Sequence, residues 1–240
     1  MYYYEQPTIS YYDQLLMFIN MEEEGGEIKE KFFTTILKLN NLNKDNLLEN
    51  PPLIKYEEID DNNDNILDHF KYQINLQVED VTKIKNVKFV FLFKYELNVN
   101  VVGKMDTIAV VDVDTPLGVS YMKIDGDLNL LQKAAIESTT FFNEFYYENI
   151  FNRQKRDLEY FSFNEICENY YNRKITTFYD YETYVEPLRN PKIAKFDVTI
   201  NVPSYQKILY FTPTFTKFKF FFVQFMALFI PIAVILYSIM

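Results

Sequence analysis

The chain has 240 residues, 48% of them hydrophobic and 18% aromatic, which supplies one substantial core and excludes a disordered chain. A net charge of −10 disfavours nucleic acid as a partner, because phosphate binding needs clustered Lys and Arg. Only 5 glycines argue against nucleotide-cradling loops, and the single cysteine, Cys167, excludes an internal disulfide and a Cys-based zinc site.

In chain order, β-branched and aromatic residues that partly alternate with polar ones mark strands at Thr8–Ile19, Lys31–Asn40 and His69–Glu79. Between the second and third, the Asn-rich stretch 40–52, ending in Pro51 and Pro52, reads as a loop or insertion. Further strands are expected at Asn86–Val102, Thr107–Thr115 and Val119–Lys133, the last folded back at a tight turn over Asp125-Gly126. The piece "STTFFNEFYYENIFNRQKRD" fits neither period clearly. After it, Ser162 stands three residues before Glu165, the spacing of a capping box, and opens a helix near 163–173. That helix carries Phe163, Ile166 and Tyr170 on one stripe and ends in Arg173 and Lys174. Strands follow at Lys174–Val185 and Lys195–Phe211. The expected fold class is mainly β: a β-sandwich over 1–217 with one short helix on an end or edge, followed by a transmembrane helix over 218–240.

The transmembrane reading rests on "FFFVQFMALFIPIAVILYSIM", Phe220 to Met240, which holds no charge. Twenty-one residues of helix rise about 31 Å, the thickness of a bilayer's hydrocarbon core. Pro231 removes one backbone hydrogen bond, which transmembrane helices tolerate. Gln224, about one turn inside, either snorkels to the headgroups or hydrogen-bonds a partner helix in the membrane. Lys207, Lys217 and Lys219 precede the span and nothing basic follows it, which by itself puts the large domain in the cytosol, as in a tail-anchored adaptor.

One loop carries candidate ligands. In "DDNNDNILD", counting Asp60 as position one, oxygen-bearing side chains fall at Asp60, Asn62, Asp64 and Asp68, with the carbonyl of Ile66 at position seven. Hard oxygens at alternate positions suit Ca²⁺, and Asn65 stands where calcium loops need a left-handed residue. Lys71 occupies position twelve, where an EF-hand requires Glu, so this is no EF-hand. A calcium site and an acidic, turn-forming loop both fit these residues. Catalytic constellations are thin. The only histidine, His69, reads as a surface strand residue, Asp125 and Asp127 as turn chemistry, Asp112 and Asp114 as a solvated strand face, and Cys167 as a half-buried thiol. No P-loop, dinucleotide fingerprint or metal-hydrolase helix motif occurs, and the chain is not expected to be an enzyme.

The segments "YYYEQPTISYYDQLLMF", "EEIDDNNDNILDHFKYQINLQV", "IDGDLNLLQK", "YNRKITTF" and "FDVTINVPSYQKILYFTPTFTKFKFFFVQFMALF", in this order, together resemble the transmembrane protein 231 family. The likeness covers most of the chain and is weakest at Asn40–Pro52 and Thr139–Glu159. It implies a non-enzymatic component of the ciliary transition zone, in the Meckel syndrome and tectonic-type membrane complex, with other transition-zone membrane proteins and B9-domain and tectonic-type proteins as partners. It also implies two spans with the β-rich region between them outside the cell. No first span precedes Tyr2 here, and the expectation is a truncated start, with Tyr2 just after the missing helix. Three other readings stand beside it. One is a calcium-dependent adhesion or ligand-binding ectodomain unrelated to cilia; another is a membrane-tethered hydrolase using Asp125 and Asp127; the third is the tail-anchored adaptor.

Overall fold

The fold is taken from a computed structural model, which describes residues 1–240 except 24, 37–38, 40–45, 78–82, 139–142, 145–161, 188–191, 213 and 240; side chains at 143–144, 214–216, 233–236 and 238–239 are also left out. Thirteen strands are described: β1 (Tyr2–Glu5), β2 (Thr8–Glu22), β3 (Ile28–Thr34), β4 (Leu53–Ile59), β5 (His69–Gln77), β6 (Lys83–Leu97), β7 (Gly103–Asp114), β8 (Tyr121–Gln132), β9 (Ile136–Glu137), β10 (Asn143–Glu144), β11 (Ile175–Glu186), β12 (Ile193–Asn201) and β13 (Gln206–Phe211). Two helices accompany them, α1 (Phe163–Tyr171) and α2 (Thr214–Ile239).

The strands form two five-stranded sheets, β10-β7-β6-β2-β3 and β11-β8-β12-β5-β4, and a three-stranded sheet, β1-β13-β9. Alternation decides which face each strand buries. Phe89, Phe91, Phe93 and Tyr95 of β6 face Phe70, Tyr72, Ile74 and Leu76 of β5 and Phe196, Val198 and Ile200 of β12, all in one buried cluster. Phe91 meets Tyr72 at 4.5 Å between ring centroids and Phe89 meets Phe196 edge-on at 5.5 Å, so the two large sheets pack face to face as a sandwich. β2 bends within its length: the register slips between Tyr11 and Leu15, and Asp13 takes the left-handed conformation (φ 55°) that such a bulge uses.

Several sequence expectations need correction. The helix lies neither on an end nor on an edge. Its Phe163, Ile166 and Tyr170 pack with Leu16, Phe18, Phe32, Val90, Leu92 and Ile108, which are the even-numbered residues of β2, β3, β6 and β7 that turn away from the central core. β2 and β6 are therefore apolar on both faces, one sheet-facing and one helix-facing, and the domain has three layers. Ser162 caps α1 as expected, its hydroxyl accepting the Glu165 N–H at 3.3 Å, but the helix ends at Tyr171, before Arg173 and Lys174. The tight turn at Asp125-Gly126 is absent, and β8 runs straight through it. Gly126 sits opposite Tyr181, and an added Cβ would lie 2.1 Å from the Asp180 carbonyl oxygen. This glycine serves close backbone approach, not a turn. The strand expected over Lys195–Phe211 is two, β12 and β13, separated around Pro203. β3 begins and ends earlier than Lys31–Asn40, and β6 ends at Leu97, not Val102. β1 and β4 lie outside the strands expected from sequence. Of the loop 40–52, residues 40–45 lie outside the described residues; Leu47 makes a bridge to Phe32.

α2 follows β13 directly, with Phe218, Phe220, Phe221, Leu228 and Ile230 each more than half exposed and Pro231 inside it. Among the described residues, no helix is long and apolar enough to cross a membrane.

Candidate functional site

Strand pairing places a polar grid on the outer face of the sheet β11-β8-β12-β5-β4. Antiparallel β5–β12 sets His69 against Asn201 and Gln73 against Asp197. Parallel β12–β8 sets Asn201 against Asp127, Thr199 against Asp125 and Asp197 against Lys123. Because side chains alternate, these residues share one face. All of them but Asp127 line an open groove of about 580 Å³ that also takes in Asp61 and Lys71.

His69 is the hub. Its Nε2 lies 2.6 Å from Asp61 Oδ2 and its Nδ1 lies 2.9 Å from Asn201 Oδ1. Asn201 Nδ2 donates onward to Asp125 Oδ1 at 3.2 Å and Asp127 Oδ1 at 3.1 Å. With both Asn201 hydrogens given to carboxylates, its oxygen faces the ring, so His69 Nδ1 donates there. The Asn201 amide thereby bridges two carboxylates that would otherwise repel each other. Tyr121 donates to Asp197 Oδ2 at 2.9 Å, and that bond, followed by burial, raises the Tyr121 pKa.

The acidic loop adjoins this network and is closed by hydrogen bonds of its own. Asp60 accepts the Asn65 N–H at 2.9 Å and the Asp64 N–H at 3.3 Å. Asn62 Oδ1 accepts the Asp64 N–H and Asp64 Oδ1 accepts the Ile66 N–H, each at 2.8 Å. Asn63 and Asn65 take the left-handed region (φ 58° and 67°), which short polar side chains tolerate. Asp68 binds the opposite rim, accepting from Gln6 Nε2 and from the Asp61 N–H, each at 2.9 Å. Burial pushes the Asp68 carboxyl up, but these bonds and the nearby His69 outweigh it and hold the group below its ordinary value. Asp60, Asn62 and Asp64 are thus brought together, with Asp68 on a separate set of bonds. Among the described residues, no group of three or more His, Cys, Asp or Glu is placed to hold a metal ion.

For catalysis the arrangement offers a histidine held between an acid and an amide, and Asp125 accepting a hydrogen bond from the same amide. The groove is open and gives no enclosure from water. Asp112 and Asp114 are tied by Asn86 Nδ2 at 2.8 and 2.9 Å. Cys167 packs beside the α1 cluster, and burial, then the Asp112 charge, push its thiol up to about 11. Sequence reasoning missed Asp61, Asn201, Asp197 and Gln6. Gln6 reaches Asp68 across 62 positions and Asn201 reaches His69 across 132, which no local pattern reveals, while Asp61 lies only eight positions from His69 and Asp197 bonds Tyr121.

A second feature lies where the chain begins and where α2 starts. β1 pairs antiparallel with β13, with Tyr2 against Leu209 and Tyr4 against Lys207, and Tyr210 N–H donates to the Met1 carbonyl at 3.0 Å. The residues on one face of this ribbon, Tyr2, Tyr4, Leu209 and Phe211, are exposed, and Lys207 Nζ lies 4.5 Å over the Tyr2 ring. The opposite face is buried: Ile208 is in the core, and Glu5 accepts the N–H groups of Asn98 and Val99.

The family description "Transmembrane protein 231" matches residues 1–240. The chain belongs to the transmembrane protein 231 family. Transmembrane protein 231 of Pongo abelii is 28% identical over 131 residues, 55% of this chain and 40% of the relative. The Xenopus tropicalis protein of that name is 25% identical over 175 residues, 73% of this chain and 54% of the relative. The Homo sapiens one is 27% identical over 131 residues. The chain therefore spans about half the length of the curated relatives it matches. No solved structure matches. The transmembrane protein 231 family is a membrane protein family whose name suggests no enzymatic activity. In this member Gln224 is exposed on α2, on the same helix as the exposed phenylalanines.

Proposed function

We propose that this chain is a non-enzymatic, membrane-anchored scaffold subunit of the ciliary transition-zone complex. In this role it contributes to the diffusion barrier that controls ciliary membrane composition, and to ciliogenesis. The observation that carries the membrane part is the common end of the domain. The exposed ribbon of Tyr2, Tyr4, Leu209 and Phe211 adjoins the start of α2, whose apolar side chains are exposed, and Lys207 and Lys217 stand nearby. Aromatic rings with flanking lysines suit the headgroup level of a bilayer, with residues 218–240 in its hydrocarbon core. The ciliary part follows from the family resemblance. The antiparallel β1–β13 pair also accommodates the two-span plan: any segment preceding Met1 would leave the domain beside the C-terminal end of β13, the end from which the chain continues to α2, so both spans would enter the membrane from one end of the domain. The partners are other transition-zone membrane proteins and B9-domain and tectonic-type proteins, with Gln224 contacting a partner helix. The tagged chain, expressed in ciliated cells, should concentrate at the ciliary base and be recovered with those partners; uniform plasma-membrane distribution would sink the reading.

A second reading, a calcium-dependent adhesion or ligand-binding ectodomain unrelated to cilia, takes its support from the gathering of Asp60, Asn62 and Asp64 on one loop. Calcium would have to replace the backbone N–H groups those oxygens now accept. Under this reading millimolar calcium raises Tm and Asp64→Ala abolishes the rise; an unchanged Tm removes it.

A further inference from the structure

The free edges of the two large sheets are treated differently. Along β7, beyond the two residues that pair with β10, side chains occupy the backbone groups that a neighbouring strand would claim. Arg173 Nη1 donates to the Asp106 carbonyl at 3.0 Å and Thr177 Oγ1 to the Ile108 carbonyl at 2.9 Å; Tyr181 Oη bonds both the N–H and the carbonyl of Asp112 at 3.0 Å. β11 gives its Thr177 N–H to Tyr170 Oη at 2.6 Å. β3 is covered at Phe32, whose carbonyl accepts the Leu48 N–H at 3.0 Å. β4 is the exception. It pairs with β5 along all seven residues on one side, and among the described residues no backbone hydrogen bond or bridge reaches its other side. Leu53 is 59% and Tyr56 45% exposed there. An uncovered edge strand without proline is a template for another strand.

The sequence of β4, Leu53-Ile54-Lys55-Tyr56-Glu57-Glu58-Ile59, is self-complementary. An antiparallel copy centred on Tyr56 sets Lys55 against Glu57 twice, Leu53 against Ile59 twice, Ile54 against Glu58 twice and Tyr56 against itself. Centring on Lys55 would oppose Lys55 to Lys55, and centring on Glu57 would oppose two glutamates. Registers between these put opposed side chains on opposite faces, which antiparallel pairing forbids. Within the sheet, Glu57 already stands against Lys71 of β5 and Lys55 against Gln73. The added strand would therefore continue an alternating row of charge across the junction. We propose that β4 is a homodimerisation edge: a second copy of this chain adds its β4 antiparallel about a two-fold axis at Tyr56, joining two five-stranded sheets into one of ten. The inference rests on this edge alone and not on the ciliary reading. Confinement to a membrane would raise the effective concentration of such pairs.

The test uses the full chain in lipid nanodiscs, with Cys167→Ser as background. Tyr56→Cys places two thiols on Cα atoms about 4.5–5.5 Å apart, within disulfide range. Mild oxidation should give a disulfide-linked dimer, while Lys29→Cys on β3 should not. Lys55→Glu should weaken dimerisation about tenfold, since two attractive pairs become repulsive, and adding Glu57→Lys should restore it. Restoration by the double reversal separates lost pairing from lost folding. The proposal is overturned by a monomeric mass at tens of micromolar together with no disulfide in the Tyr56→Cys variant. Equal crosslinking from Lys29→Cys, or a dimer indifferent to Lys55→Glu, overturns it as well.

Discussion

Gly126 and Cys167 show how single residues acquire their roles from neighbours far along the chain. Gly126 has no need of an unusual φ, yet a Cβ there would sit 2.1 Å from the Asp180 carbonyl and 2.5 Å from the Tyr181 Cα, both backbone atoms of the paired strand. Neither can rotate away, so Gly126→Ala should destabilise the fold by about 1–3 kcal/mol, the range for a forced overpacking. Thermal melting of the variant checks this, and an unchanged Tm would mean that β8 and β11 are more widely spaced than described. Cys167 makes the complementary case. Its thiol is held up to about 11 by burial and by Asp112, against the pull of Lys88. Only about one molecule in a thousand then carries the thiolate at pH 8. Alkylation by iodoacetamide in the folded chain should rise about tenfold per pH unit from 8 to 10. A plateau near pH 8.5, as for an exposed thiol, would contradict the buried placement.

At the level of elements, α1 is the clearest meeting of local signal and tertiary placement. Its cap and its apolar stripe are both legible in sequence, since each depends on spacings of three or four residues. Where it docks is not, because Leu16, Phe18, Val90 and Leu92 look, strand by strand, like one more set of core residues. Continuous apolar runs such as "FVFLF" in β6 mark a strand covered on both faces, and that signal could have placed the helix on the sheet. Two substitutions separate cap from dock. Ser162→Ala should cost about 1 kcal/mol, while Ile166→Ala, emptying a site only 4% exposed, should cost about 2–4 kcal/mol. Equal, small losses in urea titrations would place the helix off the sheet. The same division runs through the candidate site. The oxygen spacing of Asp60, Asn62 and Asp64 is readable in the sequence, as is the left-handed tendency of Asn65. The His69–Asn201–Asp125 chain is not, because register between β5, β12 and β8 is set by sheet assembly. The misplaced turn at Asp125-Gly126 has the same origin: a local turn signal lost to twelve residues of pairing with β11.

For the whole molecule, the distribution of aromatic residues separates two kinds of burial. In the sandwich Phe89, Phe91, Phe93 and Phe196 are buried by protein, and on α2 Phe218, Phe220, Phe221 and Phe222 are each at least 57% exposed. A protein that folds its core this thoroughly does not leave such a row in water without another solvent for it. Between Phe220 and Met240 thirteen residues are Phe, Ile, Leu or Val, and at about 0.3–0.6 kcal/mol each they would favour insertion by roughly 4–8 kcal/mol. Expressed in cells, the full chain should stay with membranes through alkaline carbonate extraction. A variant ending at Phe211 keeps β13, its pairing with β1 and the entire core cluster, and should release into the supernatant as a folded domain. Release of the full chain would leave α2 to be buried against protein. Retention of the shortened variant would instead move the anchoring to the Tyr2, Tyr4, Leu209 and Phe211 face.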